Sequence, residues 1–197
     1  MHGRRNPFIA REGLPFIAVA IFALVWLIRD HAYWYAVVPA LALVFLYLLF
    51  RDPPRTVPSV ALGVVCPVDG EIVRIDKVHN TEPHSVAIRI VIRVNSLGTY
   101  TARSPVEGKI MDLGSNALWL QTDEGDDVVL QFSGYRFGLA PQSFARFGER
   151  LGQGQRCAYL RLARLAEVRL PVDAKVLVEQ GQAVVAGVDV IAAVAHR

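Results

Sequence analysis

Two long runs without a charged residue lie near the start of the chain, at residues 14–28 and 32–50. The second run is about as long as an apolar helix that crosses a bilayer. The first is shorter, but residues 8–10 extend it upstream past one Arg-Glu pair, and only the polar residues 29–31 separate the two runs. This pattern predicts a transmembrane helical hairpin, with helices at about 8–29 and 32–50.

Aromatic and basic residues flank this hairpin. Trp26 and the aromatic residues 33–35 lie beside the polar break, as in the aromatic belts of membrane proteins. Arginines precede the first run and follow the second, so the positive-inside rule places both ends of the hairpin in the cytoplasm. The alternatives are a signal peptide, for which no small-residue cleavage site is visible, and a buried hairpin of a soluble protein.

Beyond the Pro-rich segment 51–59 the hydrophobic pattern changes to strict alternation, which predicts short β-strands. Turn residues separate these runs, and a short helical turn near 135–147 is the one helical feature expected after residue 60. A further strand is predicted over 159–171, where Pro171 stops the run. The alternating runs lie at 70–78, 86–94, 108–114, 117–123 and 127–133.

One hexapeptide template occurs three times, as PVDGEI (67–72), PVEGKI (105–110) and PVDAKV (171–176). A small residue after the acid suits a tight turn into a strand. With the glycine spacing of the last segment, this favours a mainly β fold, a barrel-sandwich-like domain of the biotinyl/lipoyl type built from short strands and hairpins. Lys175 lacks the flanking methionines of a carrier attachment turn, which disfavours a carrier function. The predicted organisation is a membrane hairpin (1–50), a Pro-rich linker with a first strand (51–66) and the β domain (67–197).

Composition narrows the functional classes. The mean hydropathy of +0.33 is high because of the N-terminal runs, and the net charge is +3 with an arginine excess that suits phosphate and anionic headgroups. No aromatic-plus-basic stripe supports nucleic-acid binding. Cys66 and Cys157 do not form a disulfide framework, in keeping with a reducing compartment.

Several segments together resemble the short, membrane-anchored type of phosphatidylserine decarboxylase. The order and approximate spacing of the matches agree across nearly the whole chain. They are FRDPPRTVP (50–58), CPVDGEIVRI (66–75), ARSPVEGKI (102–110), VVLQFSG (128–134), FGERLG (147–152) and VRLPVDAKVLVEQGQAVVAG (168–187).

The resemblance implies a specific chemistry. Family enzymes cut themselves at a Gly-Ser or Ser-Ser bond when the serine hydroxyl attacks the preceding carbonyl, and the new N-terminus becomes a pyruvoyl group. That ketone forms a Schiff base with the substrate amine and acts as the electron sink for loss of carbon dioxide. An Asp in Pro-x-Asp-Gly and a His in a second motif assist.

This chain departs from that pattern. The aspartate is present as Asp69, but Gly98 stands where the family has Asp, Tyr100 where it has His, and Ala102 where it has Asn. Counted back from Pro171, the family Gly-Ser becomes Ala163-Arg164.

Self-cleavage needs a β-heteroatom that can attack a carbonyl and then leave, and arginine has none. Alanine at the preceding position removes the flexibility of glycine, and tyrosine, with an unperturbed pKa of about 10, is a poor general base at neutral pH. Other candidate nucleophiles are Cys157, Ser133 and Ser143, but none follows a glycine.

Other polar clusters have simpler interpretations. His79 and His84 with Glu82 lack a fourth ligand, so a solvated loop is preferred to a metal site. The acidic residues 123–127 read as a solvated hairpin tip. Three scattered lysines give no sign of a pyridoxal pocket, and Asp69 is expected to cap a turn.

Two hypotheses follow. In the first, the protein is a phosphatidylserine decarboxylase-like membrane protein that no longer makes the pyruvoyl group and binds a lipid headgroup or a partner, so no cofactor and no metal are expected. In the second, it is an active relative that makes phosphatidylethanolamine with a non-standard site. The expected location is a bacterial-type inner membrane with the globular domain on the cytoplasmic face, as a homo-oligomer or with another phospholipid enzyme. Lipid-binding candidates, the last two in the Arg-rich segment 146–169, are Arg51, Arg55, Arg103, Arg161 and Arg164.

Overall fold

The structure, a computed structural model, describes residues 8–58, 60, 62–79, 86–114, 116–135 and 139–194. The chain forms two compact units, Met1–Pro54 (unit 1) and Arg55–Arg197 (unit 2). Unit 1 contains the described helices and unit 2 is built from antiparallel strands, which confirms a mainly β fold preceded by two apolar helices.

Unit 1 is a helical hairpin. A single 3-10 turn (Arg11–Gly13) leads into helix α1 (Leu14–Arg29), and helix α2 (Tyr33–Phe50) follows. Both are long and apolar enough to cross a membrane, counting the 3-10 turn with α1. Residues 8–10 extend alongside the end of α2 instead of joining α1, because the N–H of Ala10 donates to the carbonyl of Phe50 at 2.8 Å.

Unit 2 is organised around an eight-stranded sheet with the order β13-β2-β3-β11-β7-β6-β5-β9, accompanied by the three-stranded sheets β1-β14-β12 and β4-β10-β8. The strands are β1 (Gly63–Val65), β2 (Gly70–His79), β3 (Val86–Val94), β4 (Thr101–Arg103), β5 (Gly108–Leu113), β6 (Ala117–Gln121), β7 (Asp127–Ser133), β8 (Gln142–Ser143), β9 (Arg150–Leu151), β10 (Arg156–Tyr159), β11 (Leu165–Pro171), β12 (Lys175–Val176), β13 (Ala183–Val184) and β14 (Val190–Ala193).

The alternation read from the sequence places one face of each strand in the core. Ile90, Ile92, Leu120, Leu130 and Val168 are fully buried, and most of their outward neighbours are polar or only half-buried; Val91, on the outer face of β3, is also buried. On the outer face Arg89 donates two hydrogen bonds to Asp76, and this contact holds the pKa of that partly exposed carboxyl below its usual range.

Besides the later start of α1, two predicted elements of unit 2 differ from the structure. The segment 159–171 is not one strand: β10 ends at Tyr159, a tight turn follows, and β11 begins at Leu165. Among the described residues of 135–147 the regular element is β8 and not a helical turn, because residues 142 and 143 pair with β10.

The first two copies of the repeated template brace each other crosswise. The N–H of Val65 donates to the carbonyl of Pro105, and the N–H of Arg103 donates to the carbonyl of Pro67, both at 2.8 Å. The Cys66 carbonyl accepts from Gly187 at 2.7 Å, and the Ser104 carbonyl accepts from Gly154 at 2.9 Å. The internal repeat of the sequence is therefore a local two-fold-like arrangement of strands and turns.

Candidate functional site

Asp69 lies in the bend between β1 and β2 with its carboxylate directed into the protein. One oxygen accepts hydrogen bonds from the N–H of Thr99 at 2.9 Å and from the guanidinium of Arg55 at 3.2 Å. The other oxygen accepts from the N–H of Ala186 at 2.7 Å. With 13% of its side chain exposed, the carboxylate joins three chain segments as an acceptor.

The segment after β3 carries the positions at which the family motif is altered. A Cβ added to Gly98 would lie 2.8 Å from the Cβ of Asp69 and 3.0 Å from the carbonyl oxygen of Asn95. A side chain at this position, such as the family's aspartate, would therefore require Asp69 or its own chain segment to shift. Tyr100 is half-buried, and its ring centroid lies 5.9 Å from that of Tyr159.

The Ala163-Arg164 pair follows a strained turn. Arg161 (φ 45°) and Leu162 (φ 67°) occupy its two central positions, and the N–H of Ala163 donates to the carbonyl of Leu160 at 2.9 Å. Two adjacent left-handed residues are the φ pattern of a type I′ turn, which normally selects Asn-Gly. Non-glycine residues in this region cost about 1–3 kcal/mol each.

Backbone contacts fix the residues immediately after the turn. The N–H of Arg164 donates to the carbonyl of Ser133 at 3.2 Å, and the carbonyl of Arg164 accepts from the N–H of Val94 at 2.8 Å. Ala163 is buried and the Arg164 side chain is exposed. The dipeptide thus enters β11 between β3 and β7, the central position of the large sheet.

The structure brings Asp69, Tyr100 and Ala163-Arg164 together. Thr99, whose N–H binds Asp69, precedes Tyr100, and the carbonyl of Tyr100 accepts from the N–H of Leu160 at 3.0 Å at the start of the strained turn. The three positions assigned by the resemblance therefore form one local constellation, here called the altered site.

The predicted lipid-binding arginines lie in different surroundings. Arg51 belongs to unit 1, where its backbone forms an isolated bridge with Ile9. Arg55 is ion-paired with Asp69. Arg103 is 2% exposed and donates to the carbonyl of Gly154 at 3.1 Å, so it lies in the interior. Arg164 lies in the altered site, and Arg161 lies in the strained turn just before it.

Two of the alternative nucleophiles, Cys157 and Ser143, contact backbone carbonyls through their side chains. The Sγ of buried Cys157 lies 3.5 Å from the carbonyl of Ala102, and the Oγ of Ser143 donates to the carbonyl of Cys157 at 3.2 Å. Cys66, which is not one of these candidates, is also buried, and burial raises the pKa of its thiol to about 12. Ser133 ends β7 in regular register opposite Leu165.

The structure describes the other polar clusters only in part. Within the described ranges no three His, Cys, Asp or Glu side chains lie close enough together to hold a metal ion. Of the histidine cluster, His79 ends β2, whereas Glu82 and His84 lie outside the described residues. At the acidic tip, Asp123 is ion-paired with Arg150.

Sequence reasoning did not find the backbone donors of Asp69 or the aromatic group around Tyr159. Phe144 lies 4.9 Å from Tyr159, ring centroid to ring centroid, just after the neighbouring strand β8. The donors Thr99 and Ala186 are main-chain groups, which leave no mark on residue type. The members of the aromatic group come from separate chain segments, so they are distant in sequence.

Comparison with known proteins gives one consistent group of relatives. No protein-family model matches the chain. A protein of Nitrosomonas europaea named phosphatidylserine decarboxylase proenzyme is 36% identical over 210 residues, and a protein of Nitrosomonas eutropha with the same name is also 36% identical; the alignments cover 95% of each chain. A third, from Burkholderia mallei, is 32% identical over 207 residues, again covering 95% of each chain.

Among solved structures, the glucose permease IIA from Mycoplasma capricolum is similar with a TM-score of 0.49 and 21% identity. The alignment covers 66% of this chain and 94% of that one.

Proposed function

The chain belongs to the phosphatidylserine decarboxylase family, and we propose that it is a membrane-anchored member that stays uncleaved and binds a phospholipid headgroup without decarboxylating it. Its place in phospholipid metabolism follows from the relatives. The loss of catalysis and the binding of a headgroup are the new elements of the proposal.

The Ala163-Arg164 pair is the main support for a chain that stays uncleaved and inactive as a decarboxylase. Neither residue has a β-oxygen or β-sulfur, so the residues at this position do not fit a precursor of a pyruvoyl group. The backbone around them keeps the close contacts of the altered site, with Val94 and Ser133 bonded to Arg164. What is missing is a nucleophile, while the surrounding fold is intact.

Asp69 supports the same proposal. Its carboxylate is already occupied by two backbone donors and the guanidinium of Arg55, at 2.7–3.2 Å. A group held in this way acts as a structural brace. A general base has to offer a lone pair to a reacting proton instead.

Arg161 and Arg164 support the binding of a phospholipid headgroup. Guanidinium groups bind phosphate and carboxylate with paired, charge-assisted hydrogen bonds, and a phosphatidylserine headgroup offers both anions. The name of the relatives points to that headgroup. Arg164 is exposed and reaches solvent from the turn in which a cleaving relative would carry its serine.

The two apolar helices of unit 1 are the proposed anchor. The arginine distribution of the sequence favours an inner-membrane protein with unit 2 in the cytoplasm. Association with a second copy or with another phospholipid enzyme belongs to the same proposal.

Intact-mass spectrometry of the purified full chain tests whether the chain stays uncleaved. We expect one species at the sequence mass of 21.7 kDa. Two chains, the smaller beginning at residue 164 with a blocked N-terminus, would show an active pyruvoyl enzyme and overturn the proposal.

Calorimetric titration of the full chain in detergent tests the binding of a phospholipid headgroup. Dihexanoyl-phosphatidylserine is expected to bind and dihexanoyl-phosphatidylcholine to bind more weakly. Arg164→Gln should weaken binding by about tenfold or more, the loss of about one charge-assisted hydrogen bond. Arg74→Gln, an exposed arginine in the middle of β2, is the matched control. Equal binding by both variants would contradict a headgroup role for Arg164.

A further inference from the structure

One end of unit 2 combines exposed apolar side chains with arginines. It consists of Leu97, Tyr135, Leu139, Arg161 and Arg164 and is here called the docking end. We infer that the docking end lies against an anionic phospholipid bilayer, with its apolar side chains in the interfacial region and its arginines at the headgroups. This inference rests on the proposed membrane anchoring of the chain.

Sheet register places these residues at the same end. Strand β11 begins at Leu165, which lies opposite Arg93 of β3 and Ser133 of β7. Because adjacent strands are about 4.8 Å apart, the ends of β3 and β7 lie about 10 Å from each other. Leu97 follows β3 by three residues, and Tyr135 follows β7 by two.

Leu139 reaches the same end through a different sheet. Gln142 pairs with Tyr159, so the chain before β8 runs alongside the strained turn that follows β10. Four chain segments therefore converge here, namely the turn after β3, the loop after β7, the approach to β8 and the Arg161–Leu162 turn.

The apolar side chains at this end are exposed well beyond what core packing leaves. Leu97 is 50% exposed, Tyr135 40% and Leu139 49%. A grouped set of exposed Leu and Tyr on loops, rimmed by arginine, is the composition of surfaces that enter membrane interfaces. Tyrosine in particular favours the headgroup level.

Charge complementarity points to the same partner. Arg161 and Arg164 lie at the docking end, and Glu71 at this end is ion-paired with Arg93 at 3.5 Å. Asp112 is an exposed carboxylate near the same end, on β5. The opposite end of the sheet carries the β6–β7 turn with Glu124 and with Asp123, which is ion-paired with Arg150. An anionic surface therefore attracts the first end more strongly than the second, which orients unit 2.

Because the connection between the hairpin and unit 2 is short, weak contacts between the docking end and the bilayer are enough to keep it docked. Only 12 residues, 51–62, separate α2 from β1, a reach of at most about 40 Å. With the hairpin in a bilayer, unit 2 stays within that distance of the surface, so its effective concentration there is high.

Spin labelling of the full chain in liposomes tests the inference with a matched pair of sites. Leu97→Cys carries the label at the docking end. Val172→Cys carries it just after β11, at the opposite end, and its side chain is 49% exposed, almost the same as Leu97. The native cysteines Cys66 and Cys157 are fully buried and do not compete for the label.

The measurement is the accessibility of each label to oxygen and to a water-soluble nickel chelate. On vesicles with about one third phosphatidylserine, we expect the Leu97 label to gain oxygen contact and to lose nickel contact at least about threefold relative to the Val172 label. Replacing Arg161 and Arg164 with Gln, or raising the salt to about 1 M, should reduce this difference.

Three outcomes would overturn the inference. Equal nickel access at both labels would mean that the end is not docked. If phosphatidylcholine vesicles protect the Leu97 label from nickel as well as phosphatidylserine-containing vesicles do, docking does not depend on anionic lipid. Protection from both oxygen and nickel would indicate contact with a second protein. The mass and titration experiments use detergent-solubilised protein and need no bilayer, so failure of docking and failure of the proposed function are separable.

Discussion

Asp69 and Thr99 are separated by 30 residues in the sequence, and the carboxylate of the first accepts a 2.9 Å hydrogen bond from the backbone N–H of the second. The same carboxylate binds the N–H of Ala186 at 2.7 Å, 117 residues away. The side chain to which the resemblance assigns a catalytic role is here a brace between three distant segments.

Replacing Asp69 with Asn should therefore loosen the fold locally. The amide presents a donor where the carboxylate presents an acceptor, so one inward-pointing N–H loses its partner, at a cost of about 2–3 kcal/mol. Hydrogen exchange at the Thr99 and Ala186 amides should accelerate about a hundredfold if local opening governs it. Glu124→Gln, at the exposed β6–β7 tip, is the control and should leave both amides unchanged. Unchanged protection in D69N would contradict the bracing role.

The strained turn predicts a stabilising double substitution. Arg161→Asn with Leu162→Gly places favoured residues at two positive-φ positions, and we expect a gain of about 1–2 kcal/mol. The midpoint of thermal unfolding in detergent should rise by several degrees. Leu177→Gly is the control: its exposed side chain lies outside the positive-φ positions, and we expect no gain there. A lower midpoint for the double variant would show that the turn is not strained.

Gly98 predicts that the family aspartate cannot be restored by a single substitution. A Cβ at this position would lie 2.8 Å from the Cβ of Asp69, so Gly98→Ala should cost about 1–3 kcal/mol in the free energy of unfolding. Gly152→Ala is the matched control, because the nearest atom to its added Cβ is the Gln155 Oε1 at 3.6 Å, an ordinary contact. Thermal unfolding of both variants measures the difference, and equal midpoints would refute it.

Cys66 predicts a loss of stability in alkaline solution. Burial raises the pKa of its thiol from the ordinary 9.0 to about 12. Between these values the unfolded chain has released the proton and the folded chain has kept it, so the free energy of unfolding falls as the pH rises, by up to about 1.4 kcal/mol per pH unit.

Two measurements check this. The pH dependence of the unfolding midpoint between pH 9 and 12 should flatten in Cys66→Ala relative to the parent. Iodoacetamide should leave Cys66 unmodified in the folded protein at about pH 9, as determined by mass spectrometry. Rapid modification under those conditions would mean that the thiol is not desolvated.

Much of the fold could be predicted because the relevant signals are periodic. The uncharged runs locate both helices, and the alternation at 86–94 and 127–133 coincides with β3 and β7. The break within 159–171 could not be predicted in the same way. Arg161 and Leu162 are ordinary strand residues by type, and tertiary contacts hold them in a conformation that their side chains disfavour.

The candidate site could also be predicted only in part from the sequence. The resemblance assigns Asp69, Tyr100 and Ala163-Arg164, and the structure brings these positions together. The interior location of Arg103 could not be seen in the sequence, because burial of an arginine depends on backbone carbonyls such as that of Gly154. The repeated template was visible, but not that its first two copies exchange hydrogen bonds.

The central position of β11 has a further consequence. Everything from Arg164 onward, including β11 between β3 and β7, would be a separate polypeptide in a relative cut before this residue. Such a protein, once unfolded, has to find its other fragment, so its recovery slows on dilution. The uncut chain proposed for this protein keeps its central strand tethered, and its refolding is a first-order process whose rate does not depend on protein concentration.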